Sequence, residues 1–286
     1  MRSFLNQFII LSLLLTVFSC IGESGGRTIS SGVAPFDPNT TPVRWTSGAI
    51  GGGLNVKVST SFTDDFVAGD LDADGRNPME QMMNAWNAST TNYTFFDIDN
   101  LTTSNKDYTS LTSFKSDGEF GIYKSTDWFS NVSSSALAVT QYFGYRRNAG
   151  SSSEYVELYH ADIIVNYRDH SFTLDASDNN AYDLHTVILH ELGHFIGLAH
   201  ESDYSSDAIM LPYLGRSESK RALATKDADN IRSLYNVSTL SAGNFALKAR
   251  SFFTDQEPDE AIRGVIELRA NGKCHHYINQ KLTHIH

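Results

Sequence analysis

Eleven residues, HELGHFIGLAH at positions 190–200, constrain this chain more than any other stretch of it. His190 and His194 stand four apart, so on a helix both imidazoles leave the same face and can hold one metal ion, with Glu191 beside them as a general base. A helix is what the surrounding pattern predicts. Leu184, Val187, Ile188, Leu192, Phe195 and Ile196 recur at helical spacing, and Asp183 is placed to cap the start. Gly197 then tolerates the positive φ that a helix C-terminus often demands, and the resulting turn can swing His200 back as a third ligand. Three protein ligands leave a tetrahedral ion one open position for water, which is the composition of a catalytic site rather than a closed structural one.

With His190, Glu191, His194, Gly197 and His200 in place, the chain resembles the metzincin metalloproteases, and within them the matrixin-like group. A second family feature follows in Ala208-Ile209-Met210-Leu211-Pro212-Tyr213, which is similar to the methionine turn that runs beneath the metal and places Met210 there. The resemblance implies an α+β fold with a twisted, mostly parallel sheet, an antiparallel edge strand, the zinc helix, the Met-turn and a C-terminal helix. It implies one catalytic Zn²⁺ held by His190, His194 and His200, with Glu191 passing a proton from water to the leaving amine. Pro212 and Tyr213 would form part of the wall of the primed-side pocket. The strand around residues 136–141, with Ala136 and Ala138, would be the sheet edge that binds an extended peptide by backbone pairing. The structural zinc common in matrixins is not expected, because the first histidine of the chain is His160 and residues 125–134 offer no imidazole. Nor does either cysteine lie in an upstream cysteine-switch motif.

The remaining sequence sets the context. With 286 residues and 41% hydrophobic content the chain can bury one principal domain plus extensions. A net charge of −11 and the lack of a basic motif argue against nucleic acid as a partner; protein or peptide substrates are expected instead. Residues 1–20 read as a secretory signal, with Arg2 followed by an apolar run from Phe8 to Phe18 that is too short to span a bilayer. The ending Val17-Phe18-Ser19-Cys20 resembles a bacterial lipobox, which would lipidate Cys20 and tether an exported protein to the outer membrane or cell surface. Ordinary secretion is the alternative. If Cys20 carries lipid, Cys274 has no disulfide partner.

Residues 21–42 are rich in Gly, Ser, Thr and Pro, as a flexible tether would be. The catalytic domain is expected over residues 43–237. Strands are expected near 54–58, 93–98, 119–124, 135–145 and 161–166, a helix from Pro78 through Trp86, and a closing helix over 222–235. Asp70, Asp72 and Asp74 resemble the opening of a calcium loop, but Gln81 stands where that loop needs a bidentate Glu, so Ca²⁺ competes with a simple solvated turn. Residues 238–286 read as a small β extension, with Asn271-Gly272 as a hairpin turn and His275, His276, His284 and His286 as solvent-exposed histidines. Two functional readings stand at this point. One is an active zinc endopeptidase, and the other a catalytically weak surface binding or adhesion module; the intact motif favours the enzyme.

Overall fold

Strand β1 (Val43–Arg44) pairs with the start of a long strand β6 (Tyr155–Asn166), and the rest of the sheet is assembled on either side of β6. The computed structural model describes residues 36–38, 40–106, 108, 117–216, 218–235, 260–270 and 273–286. The expected signal, Cys20 and the Asn271-Gly272 turn lie outside these residues, as does most of the expected tether. On one side of β6 lie β4 (Phe120–Ser125), β2 (Val56–Ser59) and β3 (Thr102–Ser104), all parallel. On the other side β5 (Ala136–Arg147) runs antiparallel. From Ala161 onward β6 is buried at every position, as parallel-sheet interiors covered on both faces are. A second, small pair joins β7 (Phe172–Thr173) to β8 (Tyr182–Asp183). The run at residues 93–98 forms no named strand: Phe96 makes a single bridge to Leu54, and Phe95 and Phe96 serve the core instead.

The sheet does not end at β5. Three further strands, β9 (Glu260–Arg269), β10 (Cys274–Ile278) and β11 (Lys281–Ile285), continue it as an antiparallel meander, giving the order β11-β10-β9-β5-β6-β4-β2-β3. The expectation of an antiparallel edge at β5 is therefore corrected: β5 is antiparallel, but it is an interior strand, paired by β9 from Ala136–Arg269 to Arg146–Glu260. β10 turns into β11 through Asn279 and Gln280, with φ of 50° and 70°, the doubly positive pattern of a tight two-residue hairpin.

Helices cover the sheet. The short α1 (Ser47–Ile50) and α2 (Thr60–Thr63) flank β2. In α3 (Pro78–Asn87) a reciprocal cap fixes the start: the Asn77 side chain accepts from the Met79 and Glu80 amides at 2.9 and 3.2 Å, and Glu80 accepts from the Asn77 amide at 2.7 Å. Met79, Met82, Met83 and Trp86 form its buried face, and the Trp86 indole donates to Leu189 O at 2.9 Å, tying α3 to α4 (Leu184–Phe195). Helix α5 (Thr225–Leu234) closes the domain through Ile231 and Asp227. Among the described residues no helix is long and apolar enough to cross a membrane.

Candidate metal centre

Helix α4 starts where the Asp183 carboxylate accepts from the Thr186 amide at 2.7 Å and its hydroxyl at 2.6 Å, while Arg221 Nε holds the other carboxylate oxygen at 2.9 Å. Every residue of α4 is buried. Its carbonyls at the far end would be orphaned without partners. Trp45 Nε1 donates to Phe195 O at 2.8 Å, and the Tyr235 hydroxyl donates to Ile196 O at 2.8 Å. The chain leaves the helix through a paired closure in which the Leu198 amide reaches Gly193 O and the Gly197 amide reaches His194 O, both at 2.9 Å. Gly197 has φ of +95°, and a Cβ there would lie 2.0 Å from Val43 O, so both backbone conformation and the approach of β1 require glycine.

That turn returns His200 to the helix face. His190 Nδ1 donates to Ile209 O and His194 Nδ1 to Leu198 O, each at 2.8 Å, which leaves both Nε2 atoms as lone-pair donors. Those nitrogens converge: His194 Nε2 lies 3.0 Å from His190 Nε2 and 3.1 Å from His200 Nε2. Neutral imidazoles with lone pairs facing each other at such distances repel, and a cation among them removes the repulsion, so the donor set fits a zinc ion. Burial lowers His190 to about 4 and, with the neighbouring imidazoles, holds His194 and His200 well below their ordinary values, which keeps all three in the neutral, ligating form.

Glu191 is fully buried on the same turn. One carboxylate oxygen accepts from the Thr140 hydroxyl of β5, while Oε1 makes no hydrogen bond among the described residues. Burial raises its carboxyl to about 8 despite the Thr140 contact, and a nearby divalent cation would act in the opposite sense. Met210 is buried beneath the helix, its sulfur packed so closely on Gly193 that a Cβ there would meet it at 2.3 Å. The loop carrying it is fixed from α5: Asp227 accepts from the Ile209 amide at 2.9 Å and the Met210 amide at 3.2 Å.

The other sequence-derived residues are more scattered. Pro212 is buried, while Tyr213 is exposed and stacks on Tyr204 at 6.2 Å between ring centroids. Ala136 and Ala138 are fully buried opposite Arg269 and Leu268, so neither offers a free strand edge. Asp70, Asp72 and Asp74 turn to local donors, namely the Val67 amide, the Asp74 and Arg76 amides, and the Arg76 guanidinium. Gln81 spans the same turn, donating to Asp70 O and Arg76 O at 2.8 Å, which is the behaviour of a structural turn.

The expectation of solvent-exposed terminal histidines is corrected: His275, His284 and His286 are half-buried and His276 is buried. His276 is 6% exposed, and its Nε2 lies 3.0 Å from His200 Nδ1. His200, His276 and His286 form a second group whose ligand atoms lie within 4.8 Å of one another. The signal for His276 was available in the period-two pattern Cys274, His276, Ile278, which puts it on the apolar face of its strand. Nothing local marked Thr140, Asp227 or Tyr235, whose partners lie 51, 18 and 39 residues away.

Comparison with known proteins places this geometry. The family model of the matrixins matches residues 151–236, from just before β6 to just after α5. Metalloendoproteinase 1 of Glycine max is 45% identical over 58 residues, covering 20% of this chain and 18% of that protein. Metalloendoproteinase 5-MMP of Arabidopsis thaliana is 43% identical over 53 residues, covering 18% of this chain and 14% of its own. Each match thus spans under a fifth of the relative's length.

Proposed function

We infer that this matrixin-like metzincin is a zinc-dependent endopeptidase acting on extracellular or periplasmic proteins. The observation that carries the reading is the convergence of the His190, His194 and His200 Nε2 atoms at 3.0 and 3.1 Å beside a buried, half-satisfied Glu191 carboxylate. When bound there, zinc supplies Lewis-acid polarisation of the scissile carbonyl and lowers the pKa of a water. The rest falls to the protein's own side chains. Glu191 takes the proton of the attacking water at Oε1 and delivers it to the departing amine nitrogen, and the Thr140 hydroxyl fixes the carboxylate's orientation through its other oxygen. The carbonyls of Ile209 and Leu198 orient the imidazoles, and Met210 supports the helix from below. Pro212 and Tyr213 are proposed to wall the primed side of the cleft.

The test uses the zinc-loaded chain with denatured casein over long incubations. Glu191→Ala should keep its zinc yet lose roughly a hundredfold or more in hydrolysis, because the carboxylate moves a proton and does not hold the metal. Cleavage by the variant near the parental rate would end the protease reading.

We also propose export and anchoring through a lipidated Cys20. Acyl chains gain roughly 0.8 kcal/mol per buried methylene, so two or three together hold a protein stably at a bilayer. The native protein should then fractionate with membranes and Cys20→Ala should not. A mature N-terminus mapped by mass spectrometry to an unmodified residue, with the protein free in the medium, would indicate plain secretion.

A further inference from the structure

In an antiparallel sheet, residues directly opposite one another project from the same face. One such row crosses three strands here: Thr140 of β5 faces Ile266 of β9, and Ile266 faces His276 of β10. Thr140 touches Glu191, and His276 touches His200. Ile266 and His276 line, together with Tyr142, His194 and His200, a cavity of about 640 Å³. The meander therefore lies across the metal-binding end of α4. It also takes the backbone positions on β5 that an incoming peptide would use for strand addition, in unbroken register from Ala138 to Arg146 and, past a register shift, at Ala136.

The seating is specific. Gly264 lies opposite Tyr142, where a Cβ would come within 1.9 Å of the tyrosine ring, so a larger residue there must displace that buried ring. Ile262, Ile266, Leu268, Cys274 and Ile278 join the main core. Arg263 donates to Gln141 at 3.2 Å, and Arg146 pairs with Glu260 at 3.0 Å, crossing the same seam. All of residues 260–286 lie beyond the span matched by the family model.

We propose that residues 260–286 are a built-in, substrate-like occupant of the cleft that holds this protease latent, with β9 filling the peptide-pairing strand and β10 placing His276 against His200. This rests on the endopeptidase reading above and adds its regulation. A ladder of ten residues backed by buried apolar side chains opens far less often than a mobile loop, so full activity requires the segment to be displaced or cut away rather than to fluctuate.

The experiment compares three zinc-loaded full-length forms on denatured casein and a quenched fluorescent peptide library. They are the intact chain, Gly264→Val, and a chain carrying an inserted recognition site for a specific protease after Ser238, folded first and then cut. Hydrogen exchange of residues 136–147 reports whether β5 has been uncovered, and elemental analysis reports zinc. With β5 uncovered and one zinc retained, hydrolysis should rise roughly tenfold or more over the intact chain and should vanish when Glu191→Gln is added. An intact chain as active as the uncovered forms would overturn latency while leaving the protease reading standing. Uncovered, zinc-bound forms without any hydrolysis would overturn both. Should Gly264→Val fail to fold, the cut chain, folded before cleavage, decides the matter. If cutting leaves β5 protected and activity unchanged, mild urea is added until exchange shows release, and the same two outcomes apply.

Discussion

Gly197 carries the most constrained single position of the site. It joins helix α4, with its candidate ligands His190 and His194, to the third imidazole with φ of +95° and has Val43 O within 2.0 Å of where a Cβ would sit. Gly197→Ala should cost roughly 1–2 kcal/mol for the left-handed backbone, and more for the displacement of β1, lowering the melting temperature and weakening zinc retention together because His200 moves with the turn. Unchanged melting and zinc affinity would show that the turn adapts. Residues such as this were legible because their demands are local: a glycine three residues after His194 and three before His200 has a meaning within the motif itself. Thr140 and His276 were not, because a hydroxyl on one strand and an imidazole on another acquire roles only through a register set by strands distant in sequence.

Elements with strong internal periodicity emerged close to their expected bounds. The helices at Pro78–Asn87 and Leu184–Phe195, with the Asn77 and Asp183 caps, are written in spacing and capping chemistry. Strand order across more than a hundred residues is not. The C-terminal hairpin could be read as β, yet its choice of β5 as partner depends on Gly264 matching Tyr142 and on which apolar face seeks the core. One inter-element link makes a separate prediction. Asp227 on α5 accepts from the Ile209, Met210 and Ala224 amides, and Ile209 O in turn orients His190. Asp227→Ala leaves buried donors unpaired, at roughly 1–3 kcal/mol each, so calorimetry should show a marked loss of stability and zinc titration a weaker site. Loss of stability with undiminished zinc affinity would mean that α5 supports the fold but not the metal.

Two segments of the chain meet over helix α4. A matrixin-like segment over residues 151–236 supplies the imidazoles and the carboxylate, and the strands that follow extend its sheet across them. His200 belongs to both, with Nε2 turned toward His194 and Nδ1 toward His276. The proposed zinc lies on the first side. Anomalous diffraction at the zinc edge from crystals of the zinc-loaded chain measures this directly. It should give one strong peak at bonding distance from the Nε2 atoms of His190, His194 and His200. A peak at His200 Nδ1, His276 and His286 instead, with the Nε2 atoms of His190, His194 and His200 unliganded, would overturn the proposed zinc site.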